Sequence, residues 1–265
     1  MSLPGAALAL VRALPDSPAV LLSRAIVLLY LALRPDYRQE IRRNLRIIMG
    51  KDNRWFWVRN GWRLGRNFAL MAKAGGRTGD AIIDRARVCG ENLTNLTNHL
   101  LERELHVAMA SFHFGLWEYL PQVFSRKGCR VLLAVGEQRD PALGRQVSGL
   151  RRARGVKMAE GIRQVIKAGA GPSITGFMLD NTSQGTQTWV ECDGVRVRLP
   201  DIGFKIAARK SGRLVPAFAQ LDRGRMRVDV YPAGDERAAA CALLDQVRRH
   251  PEEWVWWGKT GAISR

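Results

Sequence analysis

The sequence predicts an α/β fold: a single domain over residues 1–265, with a largely parallel central sheet flanked by helices and an N-terminal helical part at 1–75 ahead of an α/β core at 81–265. Three observations predict it. From about residue 81 short β-prone runs alternate with helix-like stretches, the order of strand–helix–strand units. Residues 19–75 instead carry apolar side chains at helical spacing. A chain of 265 residues that is 46% hydrophobic and 25% charged can bury one sizeable core, and no Pro/Ser/Gly-rich linker divides it.

The elements follow in order. Two apolar segments come first, Gly5–Ala13 and Ala19–Leu33 ("AVLLSRAIVLLYLAL"), the second interrupted by Arg24. About fifteen apolar residues fall short of the roughly 20 that span a bilayer, so an interfacial or buried helix is expected rather than a span. Directly after it stand Arg34, Arg38, Arg42, Arg43 and Arg46, the arrangement expected where a helical region meets anionic headgroups. A core helix followed by a solvated basic face fits the same residues equally well. "RQEIRRNLRIIM" places Ile41, Leu45 and Ile48 on one helical face, and "WFWVRNGWRLGRNFALMAKAG" continues as helix to a Gly-Gly stop.

Beyond residue 81 the strand candidates are "HVAMAS", "RVLLAV", "SITGFML", "RLVPAFAQ" and "MRVDVYP". Helix-like stretches lie around 116–126, 141–154, 160–168 and 203–211. The C-terminal "AAACALLDQVRRHPEEWVWWGK" reads as a helix that stops before Pro251, then an aromatic tail. "WGKT" near the end is not a phosphate-binding loop, because Glu253 stands where the first glycine is required and no strand precedes it.

Charge and cysteines narrow the function classes. Forty-two Lys and Arg against 24 Asp and Glu give a net charge of +18 and a pI near 10.9. Such a balance points to polyanionic partners: nucleic acid, an anionic membrane surface, or an acidic carrier protein. No zinc-finger spacing, RNP-like run or basic heptad region appears, so nucleic acid is not expected as a partner. Cys89, Cys129, Cys192 and Cys241 lie far apart, with no CxxC and no histidine at ligand spacing. Reduced structural thiols in a cytoplasmic setting are therefore expected, with neither a disulfide framework nor a metal site.

Chemistry is concentrated in "SFHFGLWEYLP", Ser111–Pro121. "HVAMAS" is a buried strand and "LWEYLPQVF" the helix after it, so His113 sits at the carboxyl end of a strand, where open α/β sheets place ligands. Gly115 permits a tight turn, and Glu118, one turn into the helix, is expected to reach back to the imidazole. A carboxylate that accepts one ring N–H fixes the tautomer and leaves the other nitrogen to act as a general base. The competing reading of the same spacing is a core histidine beside an unrelated surface glutamate. No Gly-x-Ser-x-Gly elbow or cysteine nucleophile accompanies His113, so a covalent acyl-enzyme is not expected.

"ASFHFGLWE" closely resembles the "HFGNWE" block of the bacterial lipid A biosynthesis acyltransferases, the late lauroyl/myristoyl transferases related to glycerolipid acyltransferases. The likeness extends in order along the chain. "IRRNLRIIM" and "LGRNFALMAK" resemble the family's N-terminal helical region, and "VCGENL" its segment before the first core strand. "RDPALGRQVSGLRRARG" resembles the "NP" helix with its arginine, "GFMLDNTSQGTQTWVECDG" the Asp-containing strand end and following loop, and "HPEEWVWWGK" the C-terminal tail.

The resemblance implies a glycerolipid acyltransferase-like fold with a membrane-associating N-terminal region, at the cytoplasmic face of the bacterial inner membrane. It places His113 and Glu118 on the catalytic pair, and Arg151, with Arg154 beside it, on the arginine at the end of the "NP" helix. Asp180 falls on the first acid of the "DQD"-like block. The implied reaction is acyl transfer from acyl carrier protein or coenzyme A to a hydroxyl of a lipid acceptor, with no cofactor and no metal. The chain departs from the pattern in reading "DNT" for "DQD", "VECDG" for an apolar "VPFFG"-like loop, and Leu116 for the usual Asn. These departures bear on the acceptor, which could be another glycolipid, a lysophospholipid or a specialised polyketide or polyene lipid. A non-catalytic, basic peripheral membrane protein is the reading from another class.

Overall fold

The N-terminal apolar pattern folds into five helices before any strand appears. α1 (Leu3–Ala13) and α2 (Asp16–Ala32) carry the two apolar segments, and α3 (Pro35–Met49) starts with proline in its first turn, where no intrahelical N–H is lost. The computed structural model describes residues 3–90, 107–135, 155–168, 174–180, 186–201, 214–258 and 261–264, with 144, 147–149, 151, 204–205 and 208 between them. α3 ends at Gly50, whose φ of 65° is left-handed, and buries Ile41, Leu45 and Ile48 as their spacing predicts. α4 (Phe56–Ala72) lies against α2, and the approach requires Gly65: a Cβ there would sit 2.5 Å from the Cα of Arg24. α5 (Arg77–Asp84) follows, so helical structure continues to Asp84, past the expected change of texture at 81.

Among the described residues ten strands follow: β1 (Arg87–Cys89), β2 (Val107–Ser111), β3 (Val131–Val135), β4 (Lys157–Glu160), β5 (Ile174–Met178), β6 (Gln187–Cys192), β7 (Val195–Pro200), β8 (Leu214–Asp222), β9 (Arg225–Val230) and β10 (Ile263–Ser264). Between and after them run α6 (Leu120–Arg126), α7 (Gly161–Lys167) and α8 (Glu236–Arg249). A seven-stranded sheet has the order β1-β9-β8-β2-β5-β3-β4. Strands β8, β2, β5, β3 and β4 run parallel; β9 turns back on β8 as an antiparallel hairpin, and β1 pairs parallel with β9. This is a single α/β domain with a mostly parallel central sheet flanked by helices, as the alternating pattern predicts.

Side chains alternate across the sheet and so define two packed faces. Ala108 and Ala110 of β2 join Phe218 of β8, Ile41 and Leu45 of α3, Leu243 and Val247 of α8, and Trp254 and Trp257 of the C-terminal tail. Val107 and Met109 face the other way, toward Ile83 of α5 and Val123 and Phe124 of α6. β2 is buried at every position, as a central parallel strand should be.

Two expectations are corrected. "VECDG" is not a loop: Val190–Cys192 ends β6, and Asp193–Gly194, both at positive φ, makes the tight turn to β7 in a small antiparallel sheet β10-β7-β6. Asp-Gly suits such a turn because its two central residues must adopt left-handed conformations. The cysteines are not all reduced either. Cys192 at the end of β6 and Cys241 in α8 form a disulfide, their Cα atoms 5.4 Å apart after packing has brought together residues 49 positions apart; Cys89 and Cys129 are free thiols. Spacing in sequence could not show that pairing, since it depends on β6 lying against α8.

Candidate active site

Strand register builds the site. β2 and β5 are parallel neighbours with Ser111 opposite Met178, and the Leu179 N–H donates to the Ser111 carbonyl, so both strands end at the same level. Two residues past that rung stand His113 after β2 and Asp180 after β5. The imidazole Nδ1 lies 2.7 Å from Asp180 Oδ1, and the His113 backbone N–H donates to Asp180 Oδ2 at 2.7 Å. Asp180 is buried at 5% side-chain exposure while His113 retains 20%, so the imidazole is open to solvent and its partner is not.

Alternation along the extended chain points the histidine. Phe112 and Phe114 go into the core against Phe218, with ring centroids 5.5 and 5.7 Å away, which sends His113 to the opposite side. There its ring meets Trp117 edge-on at 5.2 Å. Gly115 then reverses the chain: φ is 59°, and a Cβ would lie 2.1 Å from the Ala219 carbonyl oxygen, so no other residue fits without displacing backbone. The Leu116 N–H donates to that same carbonyl at 2.7 Å. A 3₁₀ turn, Trp117–Tyr119, follows and carries Glu118.

Glu118 is expected to reach back to the imidazole; the carboxylate at Nδ1 is instead that of Asp180, and Glu118 meets the ring as a nearby charge. Glu118 lies beyond the Gly115 turn, where Arg151 takes both its oxygens, Nε to Oε2 at 2.8 Å and a terminal nitrogen to Oε1 at 2.5 Å. Burial alone would raise the Glu118 pKa, but the Arg151 charge and hydrogen bonds, then the nearby His113 ring and the Trp117 side chain, hold it below the usual carboxylate value. Burial works against the Arg151 charge as well, and Glu118 outweighs it, so the guanidinium pKa is raised. Both members stay charged at neutral pH, beside the imidazole. Thus four of the five residues singled out, His113, Glu118, Arg151 and Asp180, come together as two linked pairs; Arg154 lies outside the described residues.

The C-terminal tail contributes residues that motif reading missed. It forms two 3₁₀ turns, Pro251–Glu253 and Val255–Gly258. The Trp254 indole N–H donates to Asp180 Oδ2 at 3.2 Å, the Val255 N–H to the His113 carbonyl at 3.0 Å, and the Gly115 N–H to the Glu253 carbonyl at 2.9 Å. Asparagines of the N-terminal helices hold the tail in turn: Asn44 Nδ2 donates to the Trp257 carbonyl, and Asn60 Nδ2 to those of Glu252 and Trp254. Asn67 hydrogen-bonds the buried Glu253 carboxylate, which Arg63 and Arg66 also face. Among the described residues no group of three or more His, Cys, Asp or Glu could hold a metal ion.

A histidine held by a buried carboxylate at the carboxyl ends of parallel strands, with a charged arginine–glutamate pair beside it, has the geometry with which an imidazole can act as a general base. The chain belongs to the family of bacterial lipid A biosynthesis acyltransferases, whose family model matches residues 1–259. It is an acyltransferase of that family, as the blocks around His113 and the tail lead one to expect. A search of curated protein sequences returns no match.

Proposed function

We propose that this protein transfers a fatty acyl chain from a thioester donor, acyl carrier protein or coenzyme A, to a hydroxyl of a lipid acceptor, with His113 as general base. The observation that carries the reading is the 2.7 Å contact between His113 Nδ1 and Asp180 in a chain of acyltransferase ancestry. With Nδ1 engaged by a carboxylate, Nε2 takes the acceptor's proton as its oxygen attacks the thioester carbonyl, and the thiol leaves. Asp180 and the Glu118 charge both favour the imidazolium that forms. Arg151, kept charged, suits an oxyanion or a substrate phosphate, and Arg154 is a further candidate for that contact. No covalent intermediate and no cofactor enters this scheme.

The strongly basic surface supports an acidic carrier protein as donor and an anionic membrane as the place of work. Leu21, Leu29, Tyr30 and Leu33 of the α2 region are exposed, as are Trp55 and Trp62. Guanidinium groups cap three of these rings: Arg24 lies 4.1 Å from Trp62, Arg54 5.4 Å from Trp55 and Arg34 5.8 Å from Tyr30. Apolar residues interleaved with arginines suit a helix lying in the headgroup layer. Thioester donors of this kind are cytosolic, which supports the cytoplasmic face of the inner membrane as the place of work.

The test is transfer of a labelled acyl group from acyl carrier protein or coenzyme A to a lipid extract of a lipid A-producing bacterium. Wild type and His113→Ala are run side by side. General-base help of about 10²- to 10⁴-fold should vanish in the variant. Label in a lipid A precursor only with wild type establishes reaction and acceptor together, and label in another lipid reassigns the acceptor. Equal labelling by His113→Ala would sink the mechanism, and no label with either donor would favour a binding role.

A further inference from the structure

We infer that Trp254 is a positioning residue of the reaction centre, holding the Asp180 carboxylate that in turn holds His113. The inference rests on the general-base reading above and extends it to the C-terminal tail.

Division of labour between the two carboxylate oxygens carries the argument. Oδ2 accepts from the His113 backbone N–H at 2.7 Å and from the Trp254 indole N–H at 3.2 Å, while Oδ1 faces the imidazole Nδ1 at 2.7 Å. One oxygen is thus committed to scaffold and the other to the base, which fixes the carboxylate plane against the ring. Trp254 can do this because packing and backbone pairing hold it in place. It is 1% exposed, its ring packs edge-on against Trp257 at 5.3 Å, and its backbone forms an antiparallel bridge with Phe114. The next N–H along, of Val255, donates to the His113 carbonyl at 3.0 Å. The tail therefore grips the histidine twice, directly through its carbonyl and indirectly through Asp180.

A tryptophan that only filled space would have no need of its N–H there; phenylalanine would pack. The indole donor has a second consequence. It withdraws negative charge from the carboxylate that steadies the imidazolium, so losing it makes Asp180 the stronger acceptor. Among the described residues, the charged groups near the imidazole include Asp180 on Nδ1 and Glu118 with its partner Arg151. Behind the tail lies Glu253, faced by Arg63, Arg66 and His250.

The experiment measures kcat, KM and the pH profile of kcat/KM for wild type, Trp254→Phe, Asp180→Asn and the double variant. Trp254→Phe should lower kcat about tenfold, as loss of a hydrogen bond to a charged group does, with KM changed by less than about twofold. Its acidic limb should move to higher pH. In the Asp180→Asn background the same substitution should change the rate by no more than about twofold, because the N–H acts only through the carboxylate. An unmoved limb, with the same fold loss in both backgrounds, would reduce Trp254 to packing and overturn the inference. Should Asp180→Asn itself keep the wild-type rate and profile, the general-base pairing fails first. If Trp254→Phe does not fold, benzothienylalanine at position 254 keeps the ring shape, lacks the N–H, and must give the same shift.

Discussion

At the residue scale, the site depends on which carboxylate faces which cation. Glu118 and Arg151 are partly buried, at 19% and 13% side-chain exposure, and each keeps the other charged. Replacing Arg151 with methionine leaves Glu118 buried without its cation, at a cost of about 2 kcal/mol at neutral pH, allowing for partial exposure. The sign with pH follows from the directions. The folded carboxylate is depressed in wild type, so the pair's contribution is present above the ordinary carboxylate range and lost only as pH falls through the depressed value. In Arg151→Met burial dominates and raises the same pKa, so protonation relieves the variant earlier. The stability gap between the two proteins should therefore close as pH falls from neutral toward 4. Denaturant melts at several pH values check this, and a gap that widened on acidification would contradict the pairing.

At the element scale, the His113 loop is held by segments far apart in sequence, and this marks what is legible in the sequence. β2, β3, β5 and β8 are readable as short apolar runs and β9 as alternation of charged and apolar residues, and β2 with its Gly115 turn locates His113. The β6–β7 hairpin is hidden although Asp193–Gly194 is a hairpin dipeptide, because β6 leaves most of its side chains exposed or half-buried and so has no apolar run to mark it. The Asp180–His113 and Trp254–Asp180 contacts join residues 67 and 74 positions apart, so local periodicity carries no trace of them. Asn60 illustrates the dependence on such contacts: from α4 it donates to two tail carbonyls at 3.0 Å each. Asn60→Ala should cost about 2 kcal/mol, two hydrogen bonds at about 1 kcal/mol each, and should also lower kcat by loosening Trp254. A variant with reduced stability and unchanged kcat would separate tail docking from catalysis. The disulfide acts on other elements, tying β6 to α8. For a closed loop of 49 residues the chain-entropy relation gives roughly 4 kcal/mol, so Cys241→Ser should melt several degrees lower than wild type, and reductant should do the same to wild type only.

At the scale of the whole molecule, the question is how a protein with a net charge of +18 would meet the lipid acceptor proposed for it. Among the described residues no single helix is long and apolar enough to cross a membrane, whereas α2 and α3, bent by 92° at their junction, together pass by composition. The bend falls at Leu33-Arg34, where the chain exposes Leu33 at 71% and, one turn earlier, Leu29 at 61%. Apolar surface left open beside arginines has two possible uses, and they differ in their response to salt. If charge alone held the protein on anionic vesicles, binding would collapse as ionic strength rose beyond physiological, because the Debye length there is about 8 Å. If the α2 leucines enter the acyl boundary, a salt-resistant fraction must remain, since burial of each leucine contributes about 1.5–3 kcal/mol and is not screened. The second outcome is expected. In vesicle sedimentation with anionic phospholipid, wild type should retain binding at high salt, and Leu29→Ser/Leu33→Ser should lose it by tenfold or more. Because these residues lie outside the His113 site, the double variant should still transfer acyl groups to an acceptor dispersed in detergent. Loss of transfer in detergent as well would mean that α2 supports the fold rather than the surface on which the enzyme works.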